Sequence, residues 1–155
     1  MKKIFTMMAV MLLSATSLMA QNPDKGLSWA VEMGVGTELE LGGRAQYNFN
    51  KYIAIEGVAK YAFDYGDYSH NEITLQAGAR AFSPEFCSKN PMKAFLALDM
   101  GYGAAFKDGN NGNNFALDMT LGMYLYKGLY AGYGFGGLFN DGSHKDHVFR
   151  IGYNF

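Results

Sequence analysis

Strict alternation of apolar and polar residues runs through Phe149-Arg150-Ile151-Gly152-Tyr153-Asn154-Phe155. Successive side chains of a β-strand point to opposite faces, so the apolar residues of this stretch share one face and the polar residues share the other. Two aromatic residues, Tyr153 and Phe155, lie on the apolar face at the end of the stretch. The pattern therefore predicts a strand with one apolar and one polar side.

The same alternation recurs upstream, interrupted by turn residues. It predicts eight strands, over residues 27–35, 39–49, 52–63, 72–82, 93–106, 114–126, 129–139 and 146–155. Each is long enough to cross the hydrocarbon region of a bilayer when it is tilted. An even number of strands lets an antiparallel sheet close with both termini at one end.

Charged residues within the predicted strands all fall on the polar face. This set includes Glu32, Glu40, Arg44, Glu56, Lys60, Arg80, Asp99, Asp118 and Arg150. A soluble barrel or sandwich also alternates, so alternation alone does not decide between the two classes. The uncharged face, rich in Leu, Ile, Met, Phe and Tyr, favours a barrel that turns this face to lipid and its charges into the lumen. Closure also removes the open sheet edges that lipid does not tolerate.

The first residues follow the pattern of a secretory signal peptide. Met1-Lys2-Lys3 is basic, Ile4 to Leu13 is apolar, and small residues precede a cleavage site after Ala20. The apolar run is too short to span a bilayer as a helix. We therefore expect residues 1–20 to be a signal peptide and residues 21–155 to form a single barrel domain.

Composition excludes several classes of function. The chain carries 13 basic and 14 acidic residues, a net charge of −1, so no basic excess favours nucleic acid. Its single cysteine, Cys87, cannot form an internal disulfide. No run of about 18 apolar residues predicts a membrane-spanning helix. No cofactor is expected, and no motif indicates a metal site.

Loop parity predicts the topology. With the C-terminus in the periplasm, the connections at 50–51, 83–92 and 127–128 are periplasmic, and those at 36–38, 64–71, 107–113 and 140–145 face outside. The connection at 83–92, which contains Cys87, is long for a periplasmic turn, and the sequence offers no reason for its length.

One loop cluster combines residue types that are found in active sites. Ser143, His144, Asp146 and His147 could suggest a hydrolytic site or a metal site. Adjacent residues do not supply triad geometry, because the members of a triad converge from separate segments. A solvated loop is the expectation, and no catalytic group is predicted.

The lumen of an eight-stranded barrel is just filled by side chains. Opposite charges confined there should pair, because an unpaired buried charge is strongly unfavourable. The nine lumen charges are therefore expected to form a closed polar core, although the sequence does not show which of them pair.

The signal peptide, the strand series and the terminal Tyr153-Asn154-Phe155 resemble the small bacterial outer-membrane barrels of the OmpX-like and OmpA-barrel type, over residues 21–155. The resemblance implies an eight-stranded antiparallel transmembrane β-barrel in the envelope of a Gram-negative bacterium, monomeric and surrounded by outer-membrane lipids. In that family a C-terminal aromatic residue marks the strand read by the barrel assembly machinery, which works with periplasmic chaperones. Tyr153 and Phe155 occupy these positions.

Members of that family have diverse roles, so the resemblance implies little chemistry. The expected function is a non-enzymatic structural or surface-interaction role in the outer membrane. A narrow, porin-like pore is one alternative, and a lipid-modifying outer-membrane enzyme is a weaker one.

Overall fold

The computed structural model describes residues 25–64, 71–86, 91–107, 110–126, 128–139 and 144–155. The expected signal peptide, Cys87 and Ser143 lie outside the described residues. Within the described ranges the chain forms eight strands: β1 Gly26–Val35, β2 Glu38–Asn50, β3 Ile53–Asp64, β4 Asn71–Phe82, β5 Lys93–Lys107, β6 Asn110–Tyr126, β7 Leu129–Phe139 and β8 His144–Asn154. No helix in these ranges is both long enough and apolar enough to cross a membrane.

Each strand pairs antiparallel with the next, and β8 pairs with β1 to close the sheet. The predicted eight-stranded antiparallel meander barrel is confirmed. The start of β1 and the end of β8 lie at one rim, where the Phe155 N–H donates a hydrogen bond to the Trp29 carbonyl (2.6 Å). The β2–β3 and β6–β7 turns at this rim are short, and Gly128 in the β6–β7 turn has a φ of 87°, a conformation that glycine adopts at little cost.

Two strand beginnings differ from the prediction. β6 begins at Asn110 instead of residue 114, because its first residues continue the ladder with β5 as far as the Lys107–Asn110 pair. β8 begins at His144 instead of residue 146, since it pairs with β7 up to Leu138. The predicted connections at 107–113 and 140–145 therefore consist partly of strand.

The long connection between β4 and β5 partly continues their hairpin. The Ser83 N–H donates to the Ala94 carbonyl (2.9 Å), and the Phe86 N–H donates to the Met92 carbonyl (3.2 Å). The Ser83 hydroxyl also accepts a hydrogen bond from the Ala94 N–H (2.9 Å). The two described ends of this connection are therefore joined by backbone hydrogen bonds beyond the last residue of β4 and before the first residue of β5.

Burial alternates along the strands in the sense opposite to that of a water-soluble barrel. Outward residues are large and apolar, as at Leu75 and Tyr102, which are 63% and 73% exposed. Inward residues are frequently charged, as at Arg80 and Asp99, which are 1% and 2% exposed. The closed sheet thus encloses a polar core and presents an apolar wall.

Candidate functional site in the barrel lumen

Four inward charges form a cluster near the rim that carries the termini. We call Glu32, Arg44, Glu56 and Arg80 the lower cluster. Arg44 contacts the carboxylates of Glu32 (Nη2–Oε2 2.9 Å) and Glu56 (Nε–Oε2 3.2 Å). Arg80 binds the same Glu56 oxygen through its Nε (2.9 Å). Because acids and bases alternate, each buried charge of the lower cluster faces an opposite charge.

Aromatic side chains fill the lumen around the lower cluster. Tyr130 donates its hydroxyl hydrogen to Glu32 (2.7 Å) and accepts a hydrogen bond from Arg44 (3.1 Å). The Arg80 guanidinium lies 4.2 Å from the centre of the Phe95 ring and donates to the Tyr124 hydroxyl (3.2 Å). Together with Phe82, these rings contact one another at centroid distances of 5.2–5.9 Å. The guanidinium groups therefore lie among aromatic ring faces and hydroxyl oxygens, both of which stabilise cations.

A second group of charges, the upper cluster, lies toward the opposite rim. It consists of Glu40, Lys60, Asp118 and Arg150. Arg150 binds both oxygens of Asp118 (2.7 Å each) and the Glu40 carboxylate (3.0 Å). Lys60 pairs with the same Asp118 carboxylate. Such a bidentate arginine–carboxylate pair is strong and fixes the orientation of both groups.

Asp99 differs from the other lumen charges. Its carboxylate lies over Gly78 and directly across the β5–β6 ladder from Asp118. Its Oδ1 atom is buried without a hydrogen-bond partner. Within the described part of the chain, no lysine or arginine forms an ion pair with it. The two clusters contain four acids and four bases, so Asp99 is the acid in excess.

The lumen retains little empty space. Beside the upper cluster, the described residues enclose a cavity of about 30 Å³, lined in part by Glu38, Glu72 and Arg150. This volume admits one or two water molecules. The described side chains include no group of three His, Cys, Asp or Glu residues suited to a metal ion.

The nine charges selected from the sequence all point into the barrel, and eight of them form the two clusters. The sequence analysis did not single out Phe82 and Phe95, although their strand positions place them on the inward face. Phe155 and Tyr153 lie outside the lumen, with their ring centres 5.1 Å apart.

The candidate cluster at residues 143–147 does not form a converging site among the described residues. His144, Asp146 and His147 belong to β8. The predicted strand 146–155 included Asp146 and His147, whereas His144 was expected in the preceding loop. His147 is exposed on the outer wall, where its Nδ1 lies 2.6 Å from the Tyr133 hydroxyl. The alternation of the predicted strand places His147, two residues before Phe149, on the outward face, but it does not reveal this contact with β7.

No family model matches the chain, and no curated protein matches it. Several solved structures, however, are similar to it. Neisserial surface protein A aligns with a TM-score of 0.59 and 14% identity, covering 83% of this chain and 92% of that one. The N-terminal β-barrel domain of Pseudomonas aeruginosa OprF aligns with a TM-score of 0.59 and 11% identity, covering 87% and 100%. The outer membrane enzyme PagL aligns with a TM-score of 0.54 and 13% identity, covering 82% and 97%.

These identities establish likeness of fold alone. The compared proteins include a surface protein and an enzyme, so the shared barrel does not select between these roles. The closed eight-strand meander, the apolar wall and these structural neighbours together show that the chain has the fold of the small bacterial outer-membrane β-barrels.

Proposed function

We propose that this protein is a non-enzymatic integral barrel of the bacterial outer membrane, with a closed lumen and a structural or surface-interaction role. In this proposal residues 1–20 direct export and are removed, and residues 21–155 form a monomeric barrel in outer-membrane lipid. The barrel assembly machinery recognises Tyr153 and Phe155, and periplasmic chaperones deliver the unfolded chain. The apolar wall supports the location, because charged or polar walls are unfavourable in hydrocarbon.

The observation that carries the proposal is the filled lumen. The lower cluster and its aromatic rings fill the lumen near one rim. Toward the other rim, Asp118 on β6 binds Arg150 on β8 and, across the barrel, Lys60 on β3. Passage of a hydrated ion would require these buried pairs to separate, which leaves charges without partners. A stable core of this kind supports a scaffold more than a channel.

Planar-bilayer recording tests the closed lumen. We expect no steady conductance from the native protein. An Arg44→Ala/Arg80→Ala variant removes two guanidinium groups from the lower cluster and should admit water and small currents. Met100→Ala, on the outer wall, is the matched control and should remain silent. Large, steady, ion-selective currents from the native protein would contradict the proposal and favour the narrow pore.

Fractionation tests the location separately. The protein should be recovered with the outer membrane and should change its gel mobility on boiling, as folded barrels do. Recovery as a soluble periplasmic monomer without detergent would contradict the proposed location.

The lipid-modifying enzyme remains the second candidate because PagL, an outer membrane enzyme, has the same fold. The test compares lipid profiles of cells that lack the protein, cells that express it, and cells that express a Ser143→Ala/His144→Ala/His147→Ala variant. Unchanged lipids support the non-enzymatic role. An altered profile that the native protein restores and the triple variant does not restore would establish the enzyme.

A further inference from the structure

A histidine on the outer wall is unusual for its surroundings. His147 is exposed on the outward face of β8, and the next outward residues are Phe149 and Ile151, both apolar and exposed. Among the strand side chains that the structure describes, it is the single basic group on the apolar wall. Ionisable groups at membrane depth are costly, and they mark functional positions with an identifiable partner.

The partner of His147 is Tyr133 on the neighbouring strand β7. The Tyr133 oxygen lies 2.6 Å from Nδ1 of His147. The imidazole also packs against the Phe135 ring at a centroid distance of 5.0 Å and against the Tyr133 ring at 5.8 Å. These contacts hold the imidazole on the outer wall in one orientation.

The hydrogen bond determines which imidazole nitrogen faces outward with a proton. The direction of this hydrogen bond depends on the imidazole tautomer, and we assign the Tyr133 hydroxyl as the donor to Nδ1 because it has no other acceptor within the described part of the chain. A neutral imidazole whose Nδ1 accepts carries its proton on Nε2. No described residue binds Nε2. The wall therefore offers an oriented N–H donor that the protein itself does not use.

The position of this donor indicates what it meets. Pairing between β1 and β8 ends at Val35 and Phe149, and the His147 carbonyl lies against Gly36 in the β1–β2 turn. His147 thus stands just above the edge of the β1–β8 seam, at the rim opposite the chain termini. Lipid headgroups border the apolar wall at such a rim, and phosphate oxygens are their strongest hydrogen-bond acceptors.

We propose that the Tyr133–His147 pair holds the phosphate of one lipid in the leaflet at this rim, with Phe135 and Phe149 contacting its acyl chains. The inference rests on the proposed membrane location. It assigns binding alone: Nε2–H donates to a phosphate oxygen, and Tyr133 maintains the tautomer that makes this possible. Tyr133 is a positioning residue, and His147 makes the lipid contact.

The test uses the folded full-length protein in dodecyl maltoside, whose headgroup contains no phosphate, with ¹³C-labelled histidine rings. Dihexanoyl phosphatidic acid is added while the ring signals of His70, His144 and His147 are followed. We expect a saturable shift at His147 and smaller shifts at the other two histidines. Dihexanoylglycerol, which has the same chains and no phosphate, should not produce this shift.

Two variants separate the roles of the pair, with binding measured from the lipid ³¹P signal. Tyr133→Phe should weaken binding about fivefold, the effect of losing one hydrogen bond, and should broaden or displace the His147 ring signal. His147→Phe should abolish the phosphate-dependent part of the binding. Tyr102→Phe removes a hydroxyl from another exposed tyrosine of the wall and should leave binding unchanged.

Three outcomes would overturn the site. These are an unmoved His147 signal, an equal shift with dihexanoylglycerol, and an equal shift with inorganic phosphate at the same concentration. The last would show a simple anion site without lipid recognition. If the sample still changes its gel mobility on boiling, such a failure leaves the proposed barrel function intact, whereas loss of that behaviour would refute both proposals.

Discussion

Asp99 and Asp118 face each other across one ladder, yet their surroundings differ completely. Asp118 binds Lys60 and Arg150, whereas Asp99 has no ion pair among the described residues. Asp118→Asn should therefore destabilise the barrel by about 3–5 kcal/mol, because two buried cations lose their shared carboxylate. Asp99→Asn should stabilise the barrel by about 1 kcal/mol at neutral pH, because it removes an unpaired buried charge while keeping the shape of the side chain.

Urea unfolding in phospholipid vesicles measures both free energies under one condition. The two substitutions have identical chemistry, so each serves as the control for the other. A loss of stability with Asp99→Asn as large as that with Asp118→Asn would contradict the assignment of Asp99 as the unpaired acid.

For single residues, the sequence predicts which face of a strand a side chain lies on, but not which residues it contacts. Alternation places Glu32, Arg44 and Asp99 on the inward face, as the structure shows. Which inward residues contact each other depends on how far each strand is staggered against its neighbours around the closed barrel. No local sequence pattern encodes that offset. The contact between Tyr133 and His147 also depends on the register of β7 against β8, which alternation within each strand does not fix.

Strand β5 provides a test of the apolar wall. Met100 is the middle residue of β5 and faces outward, whereas Leu27 faces outward at the beginning of β1, next to the rim. Met100→Arg should cost about 2–4 kcal/mol in lipid, and Leu27→Arg about 0–1 kcal/mol, because the cost of a charge falls from the bilayer midplane to the interface.

Urea titrations of the two arginine variants in the same vesicles give this comparison. Equal costs at Met100 and Leu27 would show that the wall does not face a hydrocarbon layer centred on β5.

Strand β8 contains a glycine that the core requires. The phenol of Tyr130 lies so close to Gly152 that an added Cβ would overlap it. Tyr130 is fixed by Glu32 and Arg44, so Gly152→Ala should destabilise the barrel by about 1–3 kcal/mol through overpacking. Gly57→Ala, on the open outer wall, has no neighbour within 4 Å of the new methyl group and should change stability by less than about 0.5 kcal/mol.

Thermal unfolding followed by gel mobility distinguishes the two glycine variants. Equal melting of Gly152→Ala and the native barrel would mean that Tyr130 moves aside at no cost.

Element boundaries were predictable where hydrophobic alternation continues and unpredictable where it stops. Residues Asn110 to Asn114 contain no large apolar side chain, so their pattern indicates a loop, yet their backbone extends the β5–β6 ladder. Main-chain hydrogen bonding to an already extended partner forms this part of the strand. A similar extension adds His144 and Lys145 to β8.

For the whole molecule, the proposed assembly signal can be separated from stability. Phe155 contributes one backbone hydrogen bond to Trp29 and a ring contact with Tyr153, both at the rim. Deletion of Phe155 should therefore cost little in refolding into detergent and much in insertion into the outer membrane of cells. Phe49→Ala, which removes another exposed aromatic ring from the wall, is the control and should insert normally.

Equal losses in the two assays after deletion of Phe155 would argue against recognition and for a structural role of the terminal residue.

The unequal length of the ladders has a consequence for the order of folding. Fifteen residue pairs join β5 to β6, which are neighbours in sequence, whereas six pairs join β1 to β8. Hairpins between sequence neighbours form early, because little chain entropy is lost in closing a short loop. The β1–β8 ladder joins the two strands that are farthest apart in sequence through the smallest number of residue pairs. We therefore expect closure of the cylinder to be the last step of folding, and reopening at this seam to be the first step of unfolding.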